Sequence, residues 1–300
     1  MTPPPFEFPE FPPDWVIPLP SALEHDGVRS IHAIPYLSLP GFRGIELDAH
    51  LPADATEPTP AVIFIHGGAW LMGTRSVFGP MYLGMRPDPF TALAKLGIAV
   101  ISVDYRMSGE ALFPAQINDV AAAHRFIVAR AQELNIDPAR IAVWGESAGG
   151  HLAMLLAFGQ GNNALLGDLG APVQAPPLAA LVDWYGVADL ATVMGLPIPG
   201  PSPEAQLIGV EPKDDADRAA SASPITFANA DTPILLVHGT GDAIVPVAQS
   251  HDVARKIRAL GGDVEECWID DANHAWLGGP DHAKQAWEVT VEYLTRRLLN

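Results

Sequence analysis

Short apolar runs alternate with longer amphipathic stretches along most of the chain. The apolar runs predict strands at 45–51, 61–65, 98–103, 141–144, 178–183, 234–237 and 264–269. Several of them are rich in β-branched residues and apolar throughout, as strands buried on both faces should be. Apolar residues at helical spacing predict helices at 114–135, 148–158, 247–260 and 281–299. Strands that alternate with helices are typical of a mostly parallel sheet flanked by helices, so the pattern predicts an α/β fold.

One internal segment, 187–230, interrupts this alternation. It is rich in proline, carries an acidic cluster at 211–217 and shows only a short helical pattern near 203–209. We interpret it as an insertion at the upper edge of the sheet that forms part of a lid. For the acidic cluster, a solvated loop is favoured over any binding role.

The first 40 residues predict an N-terminal arm, which leaves 41–300 as one catalytic domain. Eight of the first 20 residues are proline, a composition that favours extended chain. The aromatic residues of this segment are nevertheless too apolar for a fully solvated linker: Phe6, Phe8, Phe11 and Trp15. Two interpretations stay open, a free tail and an arm laid over the domain as a second part of the lid.

Composition excludes several classes of protein. Hydrophobic residues make up 48% of the 300 residues and charged residues 17%, which excludes a disordered or coiled-coil chain. The net charge of −18 repels phosphate backbones and anionic lipids, so neither nucleic acid nor a membrane is an expected partner. Cys267 is the only cysteine, which favours a reducing compartment, and we predict the cytoplasm. The first 20 residues resemble neither a signal peptide nor a membrane anchor.

The strongest chemical signal is Gly-Glu-Ser-Ala-Gly at 145–149, directly after a predicted strand and at the start of a predicted helix. A nucleophilic serine on a sharp strand-to-helix turn needs small neighbours because the strand and the helix approach closely. Ser147 is therefore the candidate nucleophile. The alternative is an ordinary serine that caps a helix in a glycine-rich turn.

A serine hydroxyl is a weak nucleophile, so this interpretation requires a histidine as base and an acid to orient that histidine. In the chain order serine, acid, histidine, the base lies downstream of Ser147, and the candidates are His151, His238, His251, His274 and His282. Among these, only His274 lies in a loop that follows a predicted strand and also leaves room, between Ser147 and itself along the chain, for an acid in another such loop. The carboxyl ends of the strands are where open α/β folds bind ligands, so His274 is our choice.

Asp242 is the candidate acid because it also follows a strand, in a loop at the carboxyl end of the sheet. It would hold the imidazole in its working tautomer without taking the proton itself. Asp270 and Asp271 are rivals, but a very short loop would have to fold back sharply to bring either one to His274. An Asp that merely caps the following helix is the structural alternative.

A second glycine-rich loop, 66–70, follows the predicted strand 61–65. Adjacent glycines allow the backbone to direct its amides at a substrate oxygen. We assign the oxyanion hole to the amides of Gly67 and Gly68, with that of Ala148 at the start of the nucleophile helix. For His66 we favour a role in fastening this loop over a role as a second base.

Taken together, the segments 66–70, 104–106 and 145–150, the Asp242 loop and His274 resemble α/β-hydrolase esterases of the hormone-sensitive-lipase and bacterial carboxylesterase kind. The similarity extends from about residue 40 onward. It implies an α/β-hydrolase fold, a triad of Ser147, Asp242 and His274, and an oxyanion hole at the three amides named above. Residues 104–106 would then brace the loops.

Two departures from the hormone-sensitive-lipase pattern concern the substrate. Ala69 stands where that pattern has a third glycine, and Glu146 stands where Asp is usual. Both shift the resemblance towards carboxylesterases, feruloyl-esterase-like proteins and arylformamidases.

The predicted function is hydrolysis of short-chain or aryl esters through an acyl-enzyme, without metal or organic cofactor. An arylformamidase, amidase or peptidase would use the same triad, and a non-catalytic binding protein on this fold is a further alternative. The expected partner is a small ester, and a homo-oligomer is left open. The candidate pocket residues flank the motif loops, with the three tryptophans as the main candidates: Trp70, Met72, Phe78, Met81, Trp184, Tyr185 and Trp276.

Overall fold

A computed structural model describes residues 12–193 and 199–300 of the chain. Nine strands form a single sheet: β1 Leu23–His25, β2 Val28–Leu37, β3 Ile45–Pro52, β4 Thr59–Ile65, β5 Ala99–Val103, β6 Ile136–Glu146, β7 Ala180–Trp184, β8 Ile234–Gly239 and β9 Val264–Ile269. Their order in space is β1-β2-β3-β5-β4-β6-β7-β8-β9. The strands β1, β2 and β3 pair antiparallel with their neighbours, and every pairing from β5 to β9 is parallel. The predicted mostly parallel sheet is confirmed.

The helices cover both faces of this sheet. They are α1 Pro89–Lys95, α2 Ala115–Ala129, α3 Ala131–Leu134, α4 Ala148–Phe158, α5 Asn163–Leu166, α6 Pro203–Ile208, α7 Ala216–Ser221, α8 Pro224–Phe227, α9 Ala248–Ala259 and α10 Pro280–Leu298. Short 3₁₀ turns lie at Asp14–Val16, Pro80–Tyr82, Pro212–Asp214 and His274–Trp276. Among the helices of the described residues, none combines the length and the hydropathy that crossing a bilayer requires.

Alternating side chains of the central strands enter two separate apolar layers. On β4, Ile63 and Ile65 lie in the layer that contains α2 and α4, whereas Val62 and Phe64 lie in the layer that contains α1 and α10. Both layers are closed to solvent, which explains why the central strands are apolar throughout rather than alternating. The sheet is thus a rigid platform for the loops at its carboxyl edge.

The predicted boundary near residue 40 is wrong, because β1 and β2 belong to the sheet. The three residues of β1 are all exposed, and β2 is interrupted by Pro35 and by an irregular pairing with β3. Neither strand therefore shows the continuous apolar run that marks the central strands. The apolar pattern therefore predicts the central strands and misses these two.

The described part of the arm lies on the domain. The carboxylate of Asp14 accepts hydrogen bonds from the backbone N–H and the hydroxyl of Ser38, each at 2.7 Å. The Arg130 guanidinium donates to the carbonyls of Trp15 and Ile17. Residues 12–17 are therefore fastened to the main body. The predicted contribution of residues 1–11 to a lid falls outside the described residues.

Candidate active site

Ser147 lies on the turn between β6 and α4, with φ 53° and ψ −117°. This is a strained conformation for a residue other than glycine. Two glycines make it accessible: a Cβ on Gly145 would come within 2.1 Å of the Gly149 carbonyl oxygen, and a Cβ on Gly149 within 2.0 Å of the Ile65 oxygen. The turn thus lifts the serine hydroxyl above the carboxyl edge of the sheet.

The structure brings the three predicted residues of the triad together. The distance from His274 Nε2 to Ser147 Oγ is 3.0 Å, and that from His274 Nδ1 to Asp242 Oδ2 is 2.6 Å. With the proton on Nδ1 donated to the carboxylate, Nε2 is free to accept the serine proton. This is the arrangement that a base-activated serine requires. Asp242, rather than Asp270 or Asp271, is the acid on His274.

Asp242 is held as a carboxylate by several donors. The backbone N–H groups of Ile244 and Val245 donate to its Oδ1 at 2.8 and 2.9 Å. Burial alone would raise the pKa of Asp242, but hydrogen bonds from His238 and His274, the charge of His274 and the Val245 amide outweigh burial and bring that pKa below its usual range. The acid therefore keeps its charge and stabilises the imidazolium that forms during proton transfer.

The other buried histidines near the site have structural partners. His238 Nε2 donates to the Val245 carbonyl, and Nδ1 accepts from the Ser250 hydroxyl. His151 Nε2 donates to the Ala222 carbonyl while Nδ1 accepts from the Trp70 indole, and burial lowers the pKa of His151 to about 4. Neither ring is available as a base for Ser147.

The oxyanion loop differs from the prediction at Gly67. Its N–H points to the carboxylate of Glu146, 3.4 Å from Oε1, so this amide is already engaged. The amides of Gly68, Ala69 and Ala148 have no acceptor among the described residues, and all three residues line the cavity beside Ser147. Ala69 replaces Gly67 as the candidate donor, because the glycine pattern located the loop but not which of its amides face inward.

The segment 104–106 braces this loop, as the resemblance implied. The Tyr105 hydroxyl donates to the His66 carbonyl at 3.1 Å, and the two rings stack with centroids 4.6 Å apart. His66 in turn donates from Nδ1 to the Gly67 carbonyl. Arg106 forms an ion pair with the buried Asp119. His66 therefore fastens the loop, and burial lowers its pKa.

Glu146 is a buried carboxyl group next to the nucleophile. The Tyr185 hydroxyl donates to its Oε2 at 2.8 Å, and the Tyr185 ring lies 4.7 Å from the His274 ring between centroids. Burial raises the pKa of Glu146 above its usual value, although the bonds from Tyr185 and Gly67 oppose that shift. Glu146 and Tyr185 thus connect the oxyanion loop to the base, a connection that sequence spacing did not reveal.

A cavity of about 230 Å³ opens beside Ser147 and His274. Its walls are mostly apolar, and the predicted insertion contributes Val187, Val193, Pro203 and Glu204 to them. None of residues 12–40 lines it, so the described part of the arm does not cover it. Two glutamates are among the lining residues, Glu146 and Glu204, and no lysine or arginine occurs among the described residues that line the cavity.

The predicted pocket residues divide into two groups. Trp70, Met72 and Tyr185 line the cavity, whereas Trp184, Trp276, Phe78 and Met81 do not. Trp184 follows Ala180 and Val182 on the face of β7 that packs under α10, and its indole donates to Thr290 Oγ1 at 2.9 Å. Trp276 is buried against Trp184 and Tyr185. The sequence places Trp184 and Trp276 beside the motif loops, but it does not show on which side of the sheet their side chains lie.

Comparison with known proteins agrees with this geometry. The BD-FAE family profile matches residues 47–257. The chain belongs to this family. Membership of this family agrees with the resemblance to esterases that the motifs indicated. The predicted α/β-hydrolase fold is confirmed.

Individual relatives of this BD-FAE chain are esterases. It is 30% identical over 210 residues to the probable carboxylic ester hydrolase LipM of Mycobacterium tuberculosis, covering 69% of this chain and 47% of LipM. A solved structure described as a truncated form of a carbohydrate esterase from gut microbiota is 29% identical, with a TM-score of 0.78, covering 92% of this chain and 99% of that one. A bifunctional GH43-CE protein of Bacteroides eggerthii is 32% identical, with a TM-score of 0.75, and the match covers 89% of this chain and 35% of that one. The chain spans about half the length of the curated relatives it matches.

Proposed function

We propose that this BD-FAE chain is a serine hydrolase that cleaves carboxylic esters through an acyl-enzyme. The observation that carries the proposal is the hydrogen-bonded series Ser147, His274 and Asp242 on a strained turn, beside three amides free to bind an oxyanion. The esterase relatives support the same reaction.

The geometry supports a two-step reaction. Ser147 Oγ attacks the ester carbonyl carbon while His274 Nε2 takes the hydroxyl proton, and the free amides hold the negative oxygen that develops. The imidazolium then gives this proton to the leaving alcohol, and the acyl group stays on Ser147. Water attacks the acyl-enzyme with His274 as base again, which releases the acid and restores the serine.

The cavity supports a small, uncharged substrate. Ligand cavities for drug-sized molecules occupy about 300–1,000 Å³, so about 230 Å³ suits a short acyl chain or one aromatic ring. Among the described residues, the lining has no lysine or arginine that could pair with an anionic acyl group. We therefore propose neutral short-chain or aryl esters, with sugar alcohols among the leaving groups, as the carbohydrate esterase relative suggests. A cytoplasmic location stays a proposal, supported by the single cysteine.

The first test is turnover of p-nitrophenyl acetate and butyrate by wild type and Ser147→Ala. Loss of the nucleophile is expected to lower kcat by about 10⁴-fold or more and to abolish labelling by a fluorophosphonate probe. Ser221→Ala, at an exposed serine of α7, is the matched control and should keep the wild-type rate. Wild-type turnover by Ser147→Ala would exclude the proposed mechanism.

A substrate panel tests the ester assignment separately. Aryl acetates, acetylated and feruloylated sugars, N-formyl arylamines and peptide amides are compared by kcat/KM. Esters are expected to be the better substrates. Cleavage of the amides without cleavage of the esters would move the chain to the arylformamidase, amidase or peptidase class.

A further inference from the structure

A second cluster of chemically active side chains lies on β2 and β3, and none of its members lines the active-site cavity. It consists of His32, Asp48 and His50, each with one ligand atom within 4.8 Å of the other two. His32 Nδ1 and Asp48 Oδ2 are 3.1 Å apart. We propose that these three residues bind one divalent transition-metal ion, of which Zn²⁺ is the representative.

A β-bulge builds this cluster. Ile31 pairs with Ala49 and Ile34 with Leu47, so the two residues between them on β2, His32 and Ala33, face the single residue Asp48 on β3. Ala33 has φ +54°, and its N–H donates to Asp48 Oδ1 at 2.8 Å. Bulges redirect side chains at the edges of sheets, and here the bulge brings an imidazole to a carboxylate.

The His50 ring is oriented before any ion binds. Its Nδ1 lies 3.1 Å from the Ser30 hydroxyl, and its face stacks on Phe90 with ring centroids 5.1 Å apart. Hydrogen bonds of this kind to the second nitrogen fix ring orientation in metal sites.

One of the three donor pairs already has the spacing of a four-coordinate ion, and the other two lie within 4.8 Å. Metal–ligand bonds of about 2.0–2.1 Å at tetrahedral angles place neighbouring donor atoms about 3.3 Å apart, close to the 3.1 Å between His32 and Asp48. The His32 side chain is 48% exposed, which leaves an entry path and room for a water ligand. Two imidazoles and one carboxylate suit Zn²⁺, Co²⁺ or Ni²⁺ better than Mg²⁺ or Ca²⁺.

Arg75 is the nearby cation that opposes binding, but carboxylates outnumber it. Its Nε donates to Asp48 Oδ1 at 2.7 Å, which leaves Oδ2 directed at His32. The same guanidinium also pairs with Glu46 and Asp104. Three carboxylates against one guanidinium give this group a net charge of −2, which favours a further cation.

The test is titration of chelator-treated protein, free of any histidine tag, with Zn²⁺ by calorimetry and with Co²⁺ by visible absorption. The variant is His32→Ala, because this exposed side chain can be removed without opening the core. We expect wild type to bind one ion at this cluster and His32→Ala to bind it at least about tenfold more weakly. His25→Ala, an exposed histidine on the neighbouring strand β1, should bind like wild type.

Absence of binding by wild type, or equal affinity in wild type and His32→Ala, overturns the proposal. Ester turnover is measured on the same three proteins, since the cluster is separate from Ser147 and turnover shows that each variant is folded. If no protein hydrolyses esters but zinc affinity still depends on His32, the proposed function fails and the metal site stands.

Discussion

At the scale of single residues, the site depends on backbone conformations that few side chains tolerate. Ser147 has φ 53°, Ala69 φ 55° and Gly68 φ 116°. Such strain persists only where the surrounding structure enforces it, and here it directs a hydroxyl and two amides at one point. The sequence predicted the glycine loops correctly because glycine marks such turns, but it assigned Gly67 the role that Ala69 is placed to fill.

Gly68→Ala is expected to reduce turnover strongly. A methyl group there would lie 2.1 Å from the Met72 carbonyl oxygen, and φ +116° is unfavourable for alanine, so the amides of Gly68 and Ala69 must move. Misplacing one oxyanion donor costs about 10²–10³-fold in kcat. The measurement is kcat on p-nitrophenyl butyrate with circular dichroism as a check on folding. Gly84→Ala, where a Cβ meets open space, is the control, and an unchanged kcat in Gly68→Ala would contradict the assignment.

Asp183 is a buried acid that the proposed mechanism does not use. Its Oδ1 accepts from the Gly186 amide, its Oδ2 has no partner among the described residues, and burial raises the pKa of Asp183 to about 7. Between about pH 4 and 7 the folded state therefore holds a proton that the unfolded chain has lost, so this residue makes stability fall as pH rises and level off above 7. The loss of unfolding free energy from this titration is at most about 4 kcal/mol.

Asp183→Asn should remove this pH dependence, because an amide does not ionise. We expect the variant to be more stable than wild type to urea at about pH 8, with the difference narrowing towards about pH 5. Asp231→Asn, at an exposed aspartate, serves as the control. A difference that is constant across this pH range would show that Asp183 does not titrate in the folded protein.

At the scale of elements, the strands that carry the triad were predictable and those at the far edge were not. The loops after β6, β8 and β9 supply Ser147, Asp242 and His274, and each of these strands contains or coincides with a segment predicted from the sequence. A strand without a continuous apolar run is recognised by its pairing partner rather than by its own residues, as β1 and β2 show. The prediction that Trp184 lines the pocket was wrong for a related reason. Which face of β7 holds Trp184 depends on the register of β7 with β6 and β8.

The arm is expected to stabilise the domain without contributing to catalysis. Asp14→Ala removes the acceptor of two hydrogen bonds from the exposed Ser38, whose donors water can then reach, at a net cost of about 0.5–1.5 kcal/mol in unfolding free energy for each bond. Urea unfolding measures this loss, and a double-mutant cycle with Ser38→Ala isolates the pair. The kcat should stay at the wild-type value. A lower kcat in a folded Asp14→Ala protein would show that the arm acts on the active site.

At the scale of the whole molecule, the net charge of −18 surrounds a cavity whose lining includes two glutamates. Long-range repulsion slows the encounter with anionic substrates and weakens as salt shortens the screening length, which is about 10 Å at 0.1 M. We expect kcat/KM for the aryl monoester of a dicarboxylic acid to rise with ionic strength. A neutral ester of matched length should respond little, and equal responses of the two would show that charge does not select the substrate.

The α/β fold followed from the sequence pattern because central parallel strands buried on both faces leave a series of apolar runs. The triad followed because carboxyl ends of parallel strands meet at one edge. The contact of Tyr185 with Glu146 depends on how the ends of β6 and β7 pack at that edge, and the place of Glu204 at the cavity wall depends on how the insertion folds back over it. No local rule of spacing determines that.

The order of the strands along the polypeptide also has a consequence for its synthesis. Ser147 and His274 lie 127 positions apart, and the base follows β9, the last of the nine described strands along the chain. At about 5–20 residues per second, a ribosome needs roughly 6 to 25 s to travel from one to the other. During that interval the nascent chain carries its serine without a proton acceptor, so it is chemically inert until the final strand has joined the sheet.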